Sequence, residues 1–478
     1  MKKITKILSI MIVAACLFSG CGEETAESSS IISEVSVTVS ENSQKEAHKV
    51  EKTSRAEKSH TESSKESSVQ SSQQPSDESQ EEISETSAEV HEDESSQAES
   101  SENSDESSEE VSEELSSEPE RVIDESIVYE FDTKYFVKKL NEKMLKGFLE
   151  MYDAVQHFDT TARFTETMPS ADLDVLMFLL NYDCPELIQL NGDYSPIYTD
   201  ESEETVSGVY FVYNMNENDC KEHMDELHLF FENLKADIGD SDEPQKEKYV
   251  YDMIFSECVY DDENSYSGTV YGTLINHIGR CEGICKSFMW CMRELGVECM
   301  CVSGTPKWET DSVYSGHSWN IIKINDEYYQ LDLTIDNIKE RFSDDNHANY
   351  GFFNVNDEFS NMTHEMYPFY ENIGVPSCDS EEWNYHKMNG LYVSADGDIE
   401  EQVKNILENN FSEGIINHIS VKFENIAALN NAYAHIDDWI KEFFKEKGLS
   451  LCESHSESDK VCQTITVYAE GSEECSDE

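Results

Sequence analysis

Residues 22–120 hold 29 serines in 99 positions and no Phe, Tyr, Trp or Cys. Such a stretch has no apolar surface to offset the entropy of ordering it, so no packed core can be drawn from it. The fold must be built from the rest of the chain, beginning near Arg121. As a coil the segment would separate its ends by roughly 55 Å, and self-repulsion would extend it further. We read residues 21–120 as a disordered Ser/Glu-rich tether; a docking tail would have the same composition. Across all 478 residues, 34 Lys+Arg face 101 Asp+Glu, a formal charge of −67. That balance excludes nucleic acid as a partner and adhesion to anionic lipid through a basic patch. It favours neutral or basic partners.

The amino terminus reads as an address. Lys2, Lys3 and Lys6 precede an apolar stretch over residues 7–18, too short to span as a permanent membrane helix. It ends in Phe18-Ser19-Gly20-Cys21, which resembles a bacterial lipobox, with Cys21 carrying the lipid. Val13-Ala14-Ala15-Cys16 is a weaker site for the same processing, and an ordinary signal peptide cut after Gly20 is the plain alternative. Residues 1–20 are thus expected to be a lipoprotein signal peptide. The mature chain would be lipid-anchored to the cell membrane, facing the extracytoplasmic side.

Apolar spacing of three and four marks helices around Phe136 to Tyr152 and Leu173 to Leu179, then over 219–238 and 246–258, with a strand at 208–213. Residues 121–245 are therefore expected to be mostly helical. After 390 the order is strand 390–394, helix 399–411, strand 418–423, helix 426–447 and strand 464–468, a small α/β domain assigned to 376–478.

The chemistry lies between. A Gly-containing turn precedes Cys281, and Ile284, Phe288, Met292 and Leu295 continue at helical spacing to Gly296. Cys281 therefore sits at a helix start, where unpaired N–H groups and the dipole favour a thiolate and could hold an oxyanion. Downstream, Gly316–Ile324 and Tyr328–Thr334 are β-rich, and Asn325-Asp326 marks a two-residue turn. Position i then pairs with 651 − i, since 325 + 326 = 651, so His317 opposes Thr334 and Asp332 opposes Trp319. His317 and Asp332 share parity and project from one face as diagonal neighbours. A histidine base oriented by a carboxylate is what a thiol nucleophile requires.

Cys281-Glu282-Gly283, His317-Ser318-Trp319-Asn320 and Asp332-Leu333-Thr334, in this order and with 15 residues from His to Asp, resemble the transglutaminase-like superfamily. Tyr251 to Tyr260, Val302-Ser303-Gly304, Tyr350 to Phe353 with His364, and the upstream Asp183-Cys184-Pro185-Glu186-Leu187 extend the resemblance over roughly 170–370. Ile284, Ser318 and Ile335 depart from the residues common there. The resemblance implies an α+β chain with a papain-like core over 246–375, a Cys-bearing helix packed on an antiparallel sheet. It also implies a Cys281–His317–Asp332 triad acting on protein or peptide substrates, among them cell-wall or surface proteins. Tyr271 and Trp319 are assigned to the oxyanion site and pocket from their positions. No cofactor and no metal is expected, and no oligomeric partner is read from the sequence.

Other features take plainer readings. Cys285 belongs to the core, and Cys299 and Cys301 are expected to face different environments on one strand. Cys452–Cys462 is the expected local disulfide. His364 reads as a surface histidine, with a second polar site residue as the alternative. Asp261-Asp262-Glu263 lacks an EF-hand pattern and reads as a solvated loop. Functionally, a hydrolytic peptidase or amidase leads. Transglutaminase-type cross-linking uses the same thioester, and a non-catalytic binding or adhesion module on the same fold is a third reading.

Overall fold

The structure is a computed structural model and describes residues 133–307, 316–337, 347–473 and 475. The expected signal peptide, Cys21 and the expected tether lie outside the described residues.

The helices form where the spacing and caps require them. Asn141 caps Glu142–Gln156 by accepting from the Met144 N–H. Asn216 caps Glu217–Ile238, which Gly239 ends at φ +56°. Asp242 and Gln245 form a reciprocal capping box on Glu243–Glu257. Between the first helices lies more strand than a mostly helical region allows. Thr161–Pro169, Thr205–Tyr213 and Leu190–Tyr198 form an antiparallel sheet in that spatial order. The first strand escapes a pattern reading because it is polar (TARFTETMP) and its register shifts between Arg163 and Met168, which breaks the alternation.

A four-stranded antiparallel sheet positions the site, in the order Glu327–Leu331, His317–Ile324, Cys299–Pro306, His364–Met366. Its two faces enter different cores. Ile322, Ile324, Tyr329 and Leu331 pack with Ile284, Phe288 and Met292 of the helix Cys281–Glu294. Met300, Val302, Trp319 and Ile321 pack with the N-terminal helices Glu142–Gln156 and Ser170–Tyr182. Cys299 and Cys301 are both buried in the first core and so share one environment, not two. A strand's period of two sends residues i and i+2 to the same face. Asp183 ties the layers together. Its carboxylate accepts from the Phe136 and Val137 N–H groups (both 3.2 Å) and from Arg293 Nη2 (2.5 Å), while Arg293 Nε donates to the Cys299 carbonyl.

The last sheet runs Tyr392–Val393, Ile415–Phe423, Thr464–Ser472, Ser450–Asp459, with Phe411–Ser412 on its side. Val393, Leu407, Val421, Ile440, Phe444 and Val467 form its own core. The expected helix over 426–447 is two, Ile426–Tyr433 and Ile436–Glu446. The strand Ser450–Asp459 was not expected, because its residues are polar and largely exposed, as suits an edge. The disulfide is Cys452–Cys475, with Cα atoms 5.5 Å apart, and not Cys452–Cys462. Strand pairing explains the change. Cys452 falls at a register irregularity near the Ser472 end, whereas Cys462 lies beyond the other end and is fully buried against Phe352 and Phe359.

Candidate active site

The helix Cys281–Glu294 starts directly after an extended Arg280, whose side chain makes no capping hydrogen bond. Cys281 is its first residue and is half-buried. Gly283 is required two positions on, since a Cβ there would collide with the Ser267 carbonyl oxygen and meet Thr273 Oγ1 at 3.0 Å. Between them Glu282 is held by three side chains. It meets Arg280 Nη2 (2.7 Å), Asn181 Nδ2 (2.8 Å) and Lys286 Nζ (3.0 Å). Burial pushes its carboxyl up, but Lys286 and Arg280 outweigh burial and bring it to about 2. Glu282 therefore stays ionised and pins the first turn of the helix.

The turn at Asn325-Asp326 adopts φ +48° and +72°, and Ile324 pairs with Glu327, the register expected from the sequence. The ladder stops at Asn320–Leu331. Asp332 is the first residue beyond it, and Leu333–Asn337 is a short helix, so Thr334 does not lie on a strand opposite His317. Asp332 Oδ1 accepts the Thr334 N–H at 3.0 Å, a local bond that turns the chain out of the sheet. Its Oδ2 accepts from His317 Nε2 at 2.6 Å. That bond occupies Nε2, and Cys281 lies close enough to His317 to help raise its pKa.

His317 and Asp332 are both buried. Burial alone would lower the His317 pKa. The Asp332 carboxylate and its hydrogen bond, then Cys281, raise it to about 10. Burial pushes Asp332 up, and the two histidines His317 and His364 hold it below the usual carboxylate range. A cationic imidazole thus stands between a thiol and a carboxylate.

His364 is 1 % exposed, not a surface histidine. Its Nε2 reaches the same Asp332 Oδ2 at 3.1 Å. The sequence signal for it was only its place in the family-like surroundings. Ligand-type atoms of His317, Asp332 and His364 all lie within 4.8 Å of one another. Ligands of a tetrahedral metal held at about 2.1 Å stand about 3.4 Å apart. The 2.6 Å and 3.1 Å separations here are those of two N–H donors on one oxygen.

Trp319 forms a wall beside His317, with rings 16° from parallel and centroids 6.0 Å apart, and its Nε1–H donates to Gln330 Oε1 at 2.7 Å. Tyr271 takes another role than the one assigned from sequence. Its hydroxyl donates to Glu226 Oε2 at 2.7 Å and its ring stacks on His223 at 3.8 Å. The tyrosines that feel the charge of Cys281 are Tyr182, Tyr260 and Tyr367, each with its pKa raised first by burial. Tyr182 also accepts from Ser318 Oγ at 3.3 Å, and Ser318 Oγ lies 2.8 Å from Ser303 Oγ. Tyr182 and Tyr367 come from segments without a motif, so only folding brings them to the thiol. Cys285 is buried, and its thiol donates to the Trp319 carbonyl.

Residues 232–333 match the model of the Transglutaminase-like superfamily, and this segment contains Cys281, His317 and Asp332. The chain thus carries a transglutaminase-like domain there. No curated protein matches the chain. Four chains of solved structure do. One is a TGase of known crystal structure, 14% identical over 50% of this chain and 59% of that one, with a TM-score of 0.23. Another is a candidate cysteine protease from Cytophaga hutchinsonii, 11% identical over 30% of this chain and 61% of that one, with a TM-score of 0.20. The chain spans about three fifths of the length of each.

Proposed function

We propose that this protein is a cysteine-dependent acyl-transfer enzyme that hydrolyses peptide or glutamine amide bonds at an extracytoplasmic membrane surface. One observation carries the reading. A thiol at a helix start lies close enough to an imidazole to raise its pKa, and that imidazole's Nε2 is held by a buried carboxylate. In the reaction the Cys281 sulfur attacks the carbonyl carbon. A C–S bond forms and the carbonyl electrons move onto oxygen, where first-turn N–H groups of the cysteine helix can hold them. Collapse breaks the C–N bond, and the amine leaves with the proton that His317 supplies. A thioester remains. Water, giving a proton to His317, attacks the thioester, releases the acid and restores the thiol. A lysine amine in place of water would give a cross-link by the same steps. Hydrolysis is favoured because water is the abundant acceptor at a half-exposed thiol.

Mass spectrometry of surface proteins incubated with the enzyme and a labelled amine tests this. New termini or deamidated glutamines that vanish in Cys281→Ala are expected. Amine incorporation without cleavage would reject hydrolysis, and full activity in Cys281→Ala would reject thiol catalysis. The membrane location belongs to the same proposal and rests on the amino-terminal sequence. Cys21→Ser is expected to release the protein from the membrane fraction, and retention there would contradict lipidation. The division at 245/246 and 375/376 into helical region, catalytic core and C-terminal domain also belongs to the proposal.

A further inference from the structure

Asp332 Oδ2 carries two imidazole nitrogens, not one. We propose that His364 is a positioning residue, whose Nε2–H locks the Asp332 carboxylate in the orientation that holds His317 toward Cys281. This rests on the roles given above to those three residues.

The geometry is specific. A carboxylate oxygen only accepts, so Nε2 of His364 must carry a proton. Its Nδ1 lies 2.9 Å from Thr363 Oγ1, whose hydroxyl donates to the Ser360 carbonyl at 3.2 Å. The Asp332 oxygen is the neighbour that fixes a proton on Nε2. The ring is clamped between Trp319 (centroids 4.7 Å) and Phe352 (5.0 Å, 69°). The backbone is shaped to bring it in. His364 pairs with Pro306 on the strand that also pairs with the His317 strand. At the crossing point stands Gly304, opposite both His317 and Met366, where a Cβ would collide with the Glu365 carbonyl oxygen. A side chain there would push the His364 strand outward. Asp332 lies beyond the ladder that ends at Leu331, and its N–H donates to the Phe352 carbonyl at 3.2 Å, which holds its backbone but not its carboxylate. The Thr334 N–H fixes Oδ1, and His364 completes the hold on Oδ2. Without the second donor, the carboxylate can rotate about Cβ–Cγ and carry the His317 ring out of line.

The test uses the full chain labelled with ¹⁵N-histidine, with two readouts that need no turnover. These are the ring ¹⁵N and hydrogen-bonded proton signals, and the iodoacetamide alkylation rate of Cys281 against pH. His364→Leu is expected to shift or lose the His317 hydrogen-bonded proton and to slow alkylation at pH 6 by about tenfold. His364→Gln, whose amide can still donate to Asp332, is expected to stay within about threefold of wild type. A folded His364→Leu variant with unchanged proton signal and alkylation profile would overturn the proposal. If that variant does not fold, the wild-type spectrum decides. A bare Nε2 with the proton on Nδ1 of His364 overturns the proposal, and the reverse tautomer supports it. Loss of thiol catalysis as a reading would show instead as full activity in Cys281→Ala, with the His364 tautomer as expected.

Discussion

Asp332 and Asp336 stand four residues apart, both buried, yet burial has opposite outcomes for them. Asp332 gives one oxygen to His317 and His364 and the other to the Thr334 N–H, and stays below the ordinary carboxylate range. Asp336 gives Oδ2 to the Tyr251 hydroxyl (2.7 Å) and the Tyr350 N–H (2.6 Å). Its Oδ1 has no hydrogen-bond partner among the described residues, and burial pushes it to about 7. Glu247 resembles Asp336. Asn354 Nδ2 is its hydrogen-bond partner at 2.9 Å, and burial takes it to about 8. Neutral donors do not offset the loss of water around a buried carboxylate; a cationic ring does. The comparison separates a carboxylate kept charged by neighbouring imidazoles from carboxylates that behave as buried acids.

The contrast can be broken most strongly at Asp332. Asp332→Asn is expected to lower the acyl-transfer rate by about 10²–10⁴, measured as kcat/KM on a cleaved substrate, because His317 loses the group that sets its tautomer and charge. A rate within a few fold of wild type would erase the distinction. Asp336→Asn and Glu247→Gln sharpen it from the other side, through stability. Both groups have folded values raised above their unfolded ones, so their contribution is fully present below about pH 4 and is lost as pH rises to about 7 and about 8. Asp332 has the opposite sign, since its contribution is lost as pH falls. His317 adds stability that is present below its unfolded value near 6.5 and lost as pH rises through about 10. Chemical denaturation at pH 5 and pH 8 should show wild type gaining stability on acidification, by about 1.4 kcal/mol for each tenfold gain in proton affinity on folding. Each variant should flatten that gain, with activity within about threefold of wild type. The smallest effect belongs to Asp326, whose pair with Lys323 lies at the surface with the Asp326 side chain 94% exposed. Asp326→Asn should leave the denaturation midpoint unchanged at both pH values.

How much could be read ahead of the structure depended on how local each signal is. Cys281 was legible because a glycine turn and an apolar helical stripe meet there. The register set by the two-residue turn holds only from Ile324–Glu327 to Asn320–Leu331, and His317 and Asp332, both outside that ladder, meet through their side chains. The short helix after Asp332 was not legible, since Asp332-Leu333-Thr334 alternates like a strand and is turned aside by one side-chain bond to the Thr334 N–H. His364 lies on a three-residue strand whose partner is 58 positions upstream, a contact that no local pattern encodes. Cys452 pairs with Cys475 and not with Cys462 because nearness along the chain is a poor guide to nearness across a bulged strand pair. Tyr271 looked suitable by position, but Glu226 on another helix takes its hydroxyl.

The most direct measurement is the alkylation rate of Cys281 by iodoacetamide at pH 6, read by peptide mass spectrometry in wild type and in His317→Ala. If the imidazole and the sulfur act as a pair, the wild-type thiol should react about tenfold faster than the variant's and ahead of every other free cysteine. Equal rates in the two proteins would mean that the ring does nothing for the sulfur, and the proposed catalyst would be lost.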